Sequence, residues 1–274
     1  MIEKHDWNER WKEAMIDASW RKRHKDPVEY FDRKAKWYNE VIIKQANHAH
    51  QSISRLPVDN ECTVLDIGSG PGTLSIPLAK KAKKITAIDP SPGMLCYLRE
   101  NAQKEGIKNM TLMNKRWEDI NLGKDIETHD IVIASHSLAM LDIKKALSKM
   151  NDASNRSVYL FASAGTPNGD YHELWAKLYK EKYVAGPGYI YILNILYQMG
   201  IYANIETWEH EIKRPISSLD EAVKEKMEYF ERPQLSNAKE IIREHLSKTL
   251  IEEEGALWSK HKTTNVMIYW NKKT

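Results

Sequence analysis

The sequence predicts an α/β protein built on a mostly parallel, doubly wound sheet of about seven strands. Two observations support this fold class. Short β-branched and apolar segments alternate with helical segments through the middle of the chain, as in sheets whose crossover helices cover both faces. The first apolar segment ends in Gly68-Ser69-Gly70-Pro71-Gly72, which indicates a buried strand that meets a tight turn.

Residues 1–55 are predicted to form a helical N-terminal cap or lid. This stretch is rich in tryptophan, tyrosine and charged residues, and an aromatic helix face needs a partner that covers it. The pair Asp26-Pro27 divides the stretch into two parts, because proline suits the first turn of a helix and not its interior.

Residues 56–274 are predicted to form the main domain, with a helical insertion at about 168–200. Strands are expected at 62–68, 85–89, 110–114, 130–135, 158–162 and 265–270, the last of them antiparallel. Helices are expected at 73–82, 92–105, 143–150, 171–183, 190–199, 219–230 and 237–252.

The composition limits the partners and the compartment. Basic residues number 41 and acidic residues 38, and this near-neutral balance disfavours a nucleic-acid partner. No run of about 20 apolar residues predicts a membrane span, and the charged N-terminus does not resemble a signal peptide. Cys62 and Cys96 show no disulfide or metal-ligand pattern, so we expect a cytoplasmic protein without a metal site.

The glycine turn and a following aspartate indicate a nucleotide-like ligand. Glycines let the backbone approach a ligand closely, and the next helix offers free N–H groups at its positive end. Asp89, at the carboxyl end of the next strand, is placed to accept two hydrogen bonds from a ribose diol. Dinucleotide sites and adenosylmethionine sites share this spacing, so the pattern alone leaves both open.

Two details favour adenosylmethionine. A dinucleotide fingerprint that starts at Gly68 requires glycine at position 73, where this sequence has Thr73. Asp66, two residues before the first glycine, would repel a pyrophosphate but tolerates an ammonium or sulfonium group.

These motifs resemble those of the class I S-adenosylmethionine-dependent methyltransferases. Val64-Leu-Asp-Ile-Gly-Ser-Gly-Pro-Gly72 is similar to the first family motif and Asp89-Pro-Ser-Pro-Gly-Met94 to the second. The resemblance implies the Rossmann-like methyltransferase fold, S-adenosylmethionine as donor, S-adenosylhomocysteine as product, and a small-molecule or protein acceptor. It implies donor binding by Asp66, Gly68, Ser69, Gly70, Asp89, Pro90 and Met94.

The third family element departs from the usual pattern. A typical member has Gly-Asp-Ala after the third strand, and its aspartate meets the adenine amino group. This sequence reads Asn114-Lys-Arg-Trp-Glu-Asp119, so Arg116 takes the position of that aspartate. We expect Trp117 to supply a backbone N–H and Glu118 or Asp119 to meet the amine; a purely core role is the alternative for Trp117.

Two more segments resemble functional parts of the family. Ser135 and His136 end the strand expected to reach the methyl group; Ser135 is a donor-binding candidate and His136 a candidate general base. A residue of the pocket wall is the alternative for His136. The segment 29–38 resembles a lid over the donor, with Tyr30 as a donor-binding candidate and Tyr38 as a catalytic one. Aromatic packing between helix and sheet is the alternative for both tyrosines.

Two other functions stay compatible with the sequence. A nicotinamide-dependent oxidoreductase could use the same architecture, and a protein could bind S-adenosylmethionine on this fold without turnover. The cofactor that stabilises the protein against heat distinguishes the first alternative.

Overall fold

The computed structural model confirms the α/β fold with a mostly parallel sheet, antiparallel last strands and a helical N-terminal region. The structure describes residues 5–24, 26–41, 46–164, 169–231, 233, 235–253 and 255–272. Parts of two predicted segments lie outside the described residues. They are positions 1–4, 25 and 42–45 of the cap and position 168 of the insertion.

The chain divides into two compact units. The first comprises residues 1–162, 186–206 and 266–274, and the second comprises residues 163–185 and 207–265. The N-terminal helices cluster with the sheet in the first unit, and the predicted insertion at 168–200 is divided between the two units.

Parallel strands form the centre of the first unit. The strands are β1 (Thr63–Ile67), β2 (Lys84–Ile88), β3 (Met110–Met113), β4 (His129–Ser135) and β5 (Ser154–Ala164). β1 pairs in parallel with β2 and β4, β2 with β3, and β4 with β5. The inner strands are buried on both faces, which is why they read as continuous apolar runs in the sequence.

The strand order reverses at the carboxyl end of β1. Neighbouring strands follow the order β3-β2-β1-β4-β5, so the chain moves outward from β1 to β3 and then returns to the other side of β1. Open α/β sheets bind ligands at such a reversal, outside the carboxyl ends of the strands. The loop 68–74 leaves β1 at this point.

The described residues contain twelve α-helices. They are α1 (Trp7–Asp17), α2 (Ser19–Arg23), α3 (Pro27–Arg33), α4 (Ala35–Val41), α5 (Ala46–Ile53), α6 (Ser75–Ala79), α7 (Pro92–Lys104), α8 (Ile143–Ala153), α9 (Gly169–Tyr179), α10 (Tyr189–Gln198), α11 (Leu219–Tyr229) and α12 (Ala238–Thr249). Side chains of Asp6, Asp26, Ser91 and Asp142 accept backbone N–H bonds at the starts of α1, α3, α7 and α8. None of the helices within the described ranges has the length and apolar character needed to cross a bilayer.

The second unit has its own core and contains strand segments that the sequence analysis did not predict. Helices α9, α11 and α12 enclose buried residues that include Trp175, Val223 and Ile242. β6 (Asn204–Ile216), β7 (Ile251–Glu253) and β8 (Ala256–Asn271) complete the strands, and β6 and β8 contribute residues to both units. β6 was not predicted, although half-buried and exposed positions alternate along it from Trp208 to Lys213, a pattern typical of a half-buried strand.

The first helix is fixed to the first unit by a buried tryptophan. Trp11 is 2% exposed, and its indole Nε1 donates a hydrogen bond of 2.8 Å to the carbonyl oxygen of Met140. The same ring makes an edge contact with Tyr191, at 6.4 Å between ring centroids. Burial of the ring together with a satisfied N–H makes this contact a strong anchor.

We expect Trp11→Phe to lower the free energy of unfolding by about 1–3 kcal/mol, because it removes a donor and leaves the buried carbonyl of Met140 without its partner. Urea denaturation followed by circular dichroism measures this change. Glu13→Ala, at an exposed position of the same helix, is the control and should stay within about 0.5 kcal/mol of the wild type. Equal effects of the two substitutions would contradict the anchoring role.

Candidate active site

The turn after β1 is held tightly on both sides. Gly68 has φ +72°, and a Cβ atom on it would lie 2.2 Å from the Cβ of Ser137. The N–H groups of Gly68 and Ser69 donate to the carbonyl of Ile88, at 2.8 and 3.1 Å. The hydroxyl of Ser137 donates to the carbonyl of Ile67 at 2.6 Å. Only glycine satisfies both the positive φ and this close approach.

The next residues of the turn leave room for a ligand. Gly70 has φ +54°, and no atom lies within 4 Å of the position where its Cβ would stand. The hydroxyl oxygen of Ser69 is buried and has no hydrogen-bond partner. A buried polar atom without a partner beside open space indicates a group that a ligand completes.

Asp89 presents a buried carboxylate beside this space. It is 7% exposed, and its two oxygens accept the N–H groups of Gly70 at 2.9 Å and Ser91 at 2.8 Å. Burial raises the pKa of Asp89, the two N–H donors oppose that change, and the charge of Asp32 adds to it. A carboxylate offers about four acceptor positions, so Asp89 keeps capacity for two ribose hydroxyls.

Asp66 supplies a second buried carboxyl group. It is 2% exposed, and one of its oxygens accepts a hydrogen bond of 2.6 Å from the hydroxyl of Ser75. Burial raises the pKa of Asp66 to about 7; the bond from Ser75 opposes this and the charge of Asp89 adds to it. Two neighbouring buried carboxyls disfavour anionic ligands and attract a cationic one.

The loop after β2 is ordered by its own polar groups. The Nδ2 atom of Asn114 donates to the carbonyls of Asp89 at 3.0 Å and Pro90 at 2.9 Å. Met94 is 4% exposed, and its N–H donates to the hydroxyl oxygen of Ser91 at 3.0 Å. Pro90 and Met94 therefore lie in a fixed loop next to Asp89.

At the end of β3, the structure pairs Arg116 with a carboxylate from the N-terminal region. Its Nη2 atom lies 2.9 and 3.0 Å from the two carboxylate oxygens of Asp26, and this bond lowers the pKa of Asp26. The Trp117 ring is 2% exposed and donates from Nε1 to the carbonyl of Ala146 at 3.2 Å, so only its backbone is placed to meet a ligand. Glu118 is exposed.

The end of β4 carries the two residues expected near the methyl group. Ser135 is half-buried at the last position of the strand, and His136 is exposed, with φ +52°. The N–H of His136 donates to the carbonyl of Phe161 at 2.9 Å, which fixes the backbone that carries the imidazole. Ser135 and His136 thus stand at the carboxyl end of β4, the edge at which open α/β sheets bind ligands.

The two tyrosines of the expected lid differ in environment. Tyr30 is buried, and its hydroxyl accepts a hydrogen bond of 2.8 Å from Nζ of Lys34. Tyr38 is half-buried, with ring centroids of Phe31 and Trp37 at 6.1 and 5.2 Å. Desolvation raises the pKa of Tyr38 to about 12, so at neutral pH its phenol can donate a hydrogen bond but cannot accept a proton.

A segment of the N-terminal region crosses the strand ends; we call residues 19–24 and 26–41 the N-terminal strap. Its polar groups bond to the segments that follow β2, β3 and β4 and, through Asn39, to helix α7. The Nδ2 group of Asn101 donates to Oδ1 of Asn39 and to the carbonyl of Pro71. Asp32 accepts hydrogen bonds from Ser91 and Gly93. Asp26 accepts from Arg116, and Arg21 donates to the carbonyl of Ala139.

Sequence reasoning missed the strap contacts of Arg21, Asp26, Asp32 and Asn39. Asp26 carries a local signal, since an aspartate before Pro27 is a typical helix N-cap, but nothing local reveals its partner 90 residues away.

Comparisons with known proteins agree with the geometry. Residues 64–156 match the model of a family described as a methyltransferase domain. An uncharacterized protein of Haemophilus influenzae is 31% identical over 185 residues, which span 68% of this chain and 68% of that protein. Shorter matches include a ribosomal RNA small subunit methyltransferase of Lactobacillus helveticus, 30% identical over 38% of this chain and 45% of that protein.

Solved structures share the fold. The YcgJ protein of Bacillus subtilis superposes with a TM-score of 0.57 at 13% identity, covering 83% of this chain and 99% of that one. Magnesium protoporphyrin IX methyltransferase of Synechocystis PCC 6803, solved with bound S-adenosylhomocysteine, gives a TM-score of 0.51 at 15% identity and covers 88% and 94%. These likenesses concern the fold; the methyltransferase-domain match over residues 64–156, together with the glycine turn and the buried carboxyls, shows that the chain belongs to the class I S-adenosylmethionine-dependent methyltransferases.

Proposed function

We propose that this methyltransferase acts on a small-molecule or protein acceptor in the cytoplasm. The observation that carries donor binding is the pair of buried carboxyls, Asp66 and Asp89, beside the open space at Gly70. Basic residues (41) barely outnumber acidic ones (38), so the chain lacks the basic excess of a dedicated nucleic-acid binder, and this disfavours a nucleic-acid acceptor. Cys62 and Cys96 are both free, which supports a reducing compartment.

The strand order suggests how the donor lies along the crevice. If the ribose binds at the end of β2 and the methionine portion at the end of β1, the adenine extends toward β3 and the methyl group toward β4. In this proposal Asp66 and the turn 68–70 hold the methionine portion, and Asp89 holds the ribose. Donor-binding candidates toward β3 are Pro90, Met94, Arg116, Glu118 and the backbone of Trp117; Ser135 lies toward β4, and Tyr30 in the strap.

The bound donor carries an electrophilic methyl group on its sulfonium sulfur, and loss of this methyl group to the acceptor leaves a neutral thioether. The protein's part is to align the acceptor and exclude water. His136 is the proposed base for an acceptor that must lose a proton, since an imidazole titrates near neutrality. Tyr38 is the proposed hydrogen-bond donor from the strap, because its phenol stays protonated.

The family membership favours methyl transfer over nicotinamide-dependent oxidoreduction, and donor specificity tests this directly. S-adenosylhomocysteine at about 100 times its Kd should stabilise the protein by roughly 2.7 kcal/mol, seen as a higher Tm, while NAD should leave the Tm unchanged. Stabilisation by NAD alone would contradict the proposal.

Turnover separates an enzyme from a protein that only binds the donor. A panel of small amines, phenols, carboxylic acids and peptides, each incubated with S-adenosylmethionine, should contain an acceptor that accelerates the release of S-adenosylhomocysteine. Tight donor binding with no acceptor-dependent release from any class would favour the binding protein.

Asp89→Ala should weaken S-adenosylhomocysteine binding by roughly 2–4 kcal/mol, the loss of two hydrogen bonds to a charged acceptor. Isothermal titration calorimetry measures the change. Glu61→Ala removes an exposed carboxylate before β1, 80% exposed in the native protein, and should bind like the wild type. Wild-type affinity in a folded Asp89→Ala protein would remove Asp89 from the site.

Binding of S-adenosylmethionine should strengthen as the pH rises from 5 to 7. Because the pKa of Asp66 is raised to about 7, its carboxyl is neutral in acid and becomes the anion that attracts the donor near neutrality. The affinity of the wild type should change by about tenfold per pH unit below 7, if only the anion binds. Calorimetry across this range measures the slope.

Asp66→Asn is the matched control, because it keeps the shape and removes the titration, so its slope should be much flatter. The same shift affects stability in the opposite direction. Between about pH 4 and 7 the folded protein holds a proton that the unfolded chain releases, so the free energy of unfolding falls as the pH rises across this range, and the loss is complete near pH 7. Equal pH dependence of donor affinity in the wild type and in Asp66→Asn would show that protonation of Asp66 does not affect donor binding.

A further inference from the structure

Asp32 is the point at which the N-terminal strap bonds to the loop of the ribose-binding candidate. It belongs to α3, and its Oδ1 atom accepts the hydroxyl of Ser91 at 2.6 Å and the N–H of Gly93 at 2.8 Å. These partners lie 59 and 61 residues further along the chain, at the start of α7. One carboxylate oxygen thus binds a side chain and a backbone group of the same helix turn.

Ser91 transmits this contact to Asp89. Its hydroxyl hydrogen is donated to Asp32, while its hydroxyl oxygen accepts the N–H of Met94 at 3.0 Å. Its backbone N–H donates to Oδ1 of Asp89 at 2.8 Å. A hydroxyl has a single hydrogen, so the acceptor at Asp32 sets its direction. Asp32, Ser91 and Asp89 form a continuous chain of hydrogen bonds.

Gly93 makes the approach of Asp32 possible. A Cβ atom at this position would lie 3.0 Å from Oδ1 of Asp32 and 3.2 Å from the Cβ of Ala35. Its φ is not positive, so backbone strain does not call for glycine there. The space needed by the strap therefore accounts for the glycine.

We propose that Asp32 is a positioning residue for the methyl donor: it acts through Ser91 to hold the carboxylate of Asp89 in place for the ribose. This rests on the proposed role of Asp89 in donor binding. Because the effect passes through the strap, donor binding and the docking of α3 are coupled, and each strengthens the other by the same factor. The docked strap is thus part of the donor site.

Calorimetric titration of S-adenosylhomocysteine into four variants tests this role. Asp32→Ala should weaken binding about tenfold, the factor that corresponds to roughly one hydrogen bond. Asp32→Asn should stay within about threefold of the wild type, because the amide oxygen can accept both bonds. Glu29→Gln alters an exposed carboxylate of the same helix, 74% exposed in the native protein, and should leave binding unchanged.

Gly93→Ala distinguishes positioning from a merely structural role. Its methyl group displaces an intact Asp32, so binding should weaken several-fold although alanine raises helix propensity. Amide hydrogen exchange supplies a readout independent of affinity. In the wild type, exchange in α3 should slow when S-adenosylhomocysteine binds, and this slowing should be smaller in Asp32→Ala.

Three outcomes would overturn the proposal: wild-type affinity in a folded Asp32→Ala protein, Asp32→Asn binding as weakly as Asp32→Ala, or Gly93→Ala binding like the wild type. Asp89→Ala separates this failure from that of the underlying proposal. If Asp89→Ala loses binding while Asp32→Ala does not, Asp89 keeps its role and Asp32 loses its own. If Asp89→Ala binds normally, the ribose assignment fails first.

Discussion

The site depends on the sharp turn at Gly68, where the chain leaves the central strand of the sheet. The N–H groups of Gly68 and Ser69 bond to the end of β2, and Ser137 brings the segment after β4 against the same turn. Three strand ends are therefore held together by one residue without a side chain. The orientation of Asp66, the space at Gly70 and the N–H that reaches Asp89 all follow from this turn, because each lies within two residues of Gly68 or bonds to one that does.

The N-terminal strap adds hydrogen bonds to the segments at the carboxyl ends of the strands. The sheet supplies carboxylates and a turn, whereas Arg21, Asp26 and Asp32 tie one helical segment to the segments after three different strands, and Asn39 ties it to α7. Most of these bonds involve partly exposed groups, for which each contribution to stability is small. Their number matters more than their individual strength, since several weak bonds along one segment dock it in a single register.

The sequence predicts those parts of the structure whose physical signal lies within a few neighbouring residues. Gly68, Asp89 and the start of α7 at Pro92 belong to this kind, because a turn, a strand end or a helix start needs only its own residue types. β6 also carries a local signal, the alternation from Trp208 to Lys213, but it was not predicted because the segment is short of apolar residues and rich in charged ones. The partners of Asp26 and Asp32 have no local signal, because only the folded sheet brings them together.

Arg116 and Asp26 show how a family pattern can change without losing its chemistry. Where related enzymes carry an aspartate after the third strand, this chain carries the opposite charge, and a carboxylate from the strap neutralises it at 2.9 Å. The two side chains therefore form one ion pair between the strap and the segment after β3, although 90 residues separate them. Exchanging the strap alone for a sequence without this aspartate would leave Arg116 in contact with solvent, so the cost would be small for the stability of the sheet and would fall on the docking of the strap.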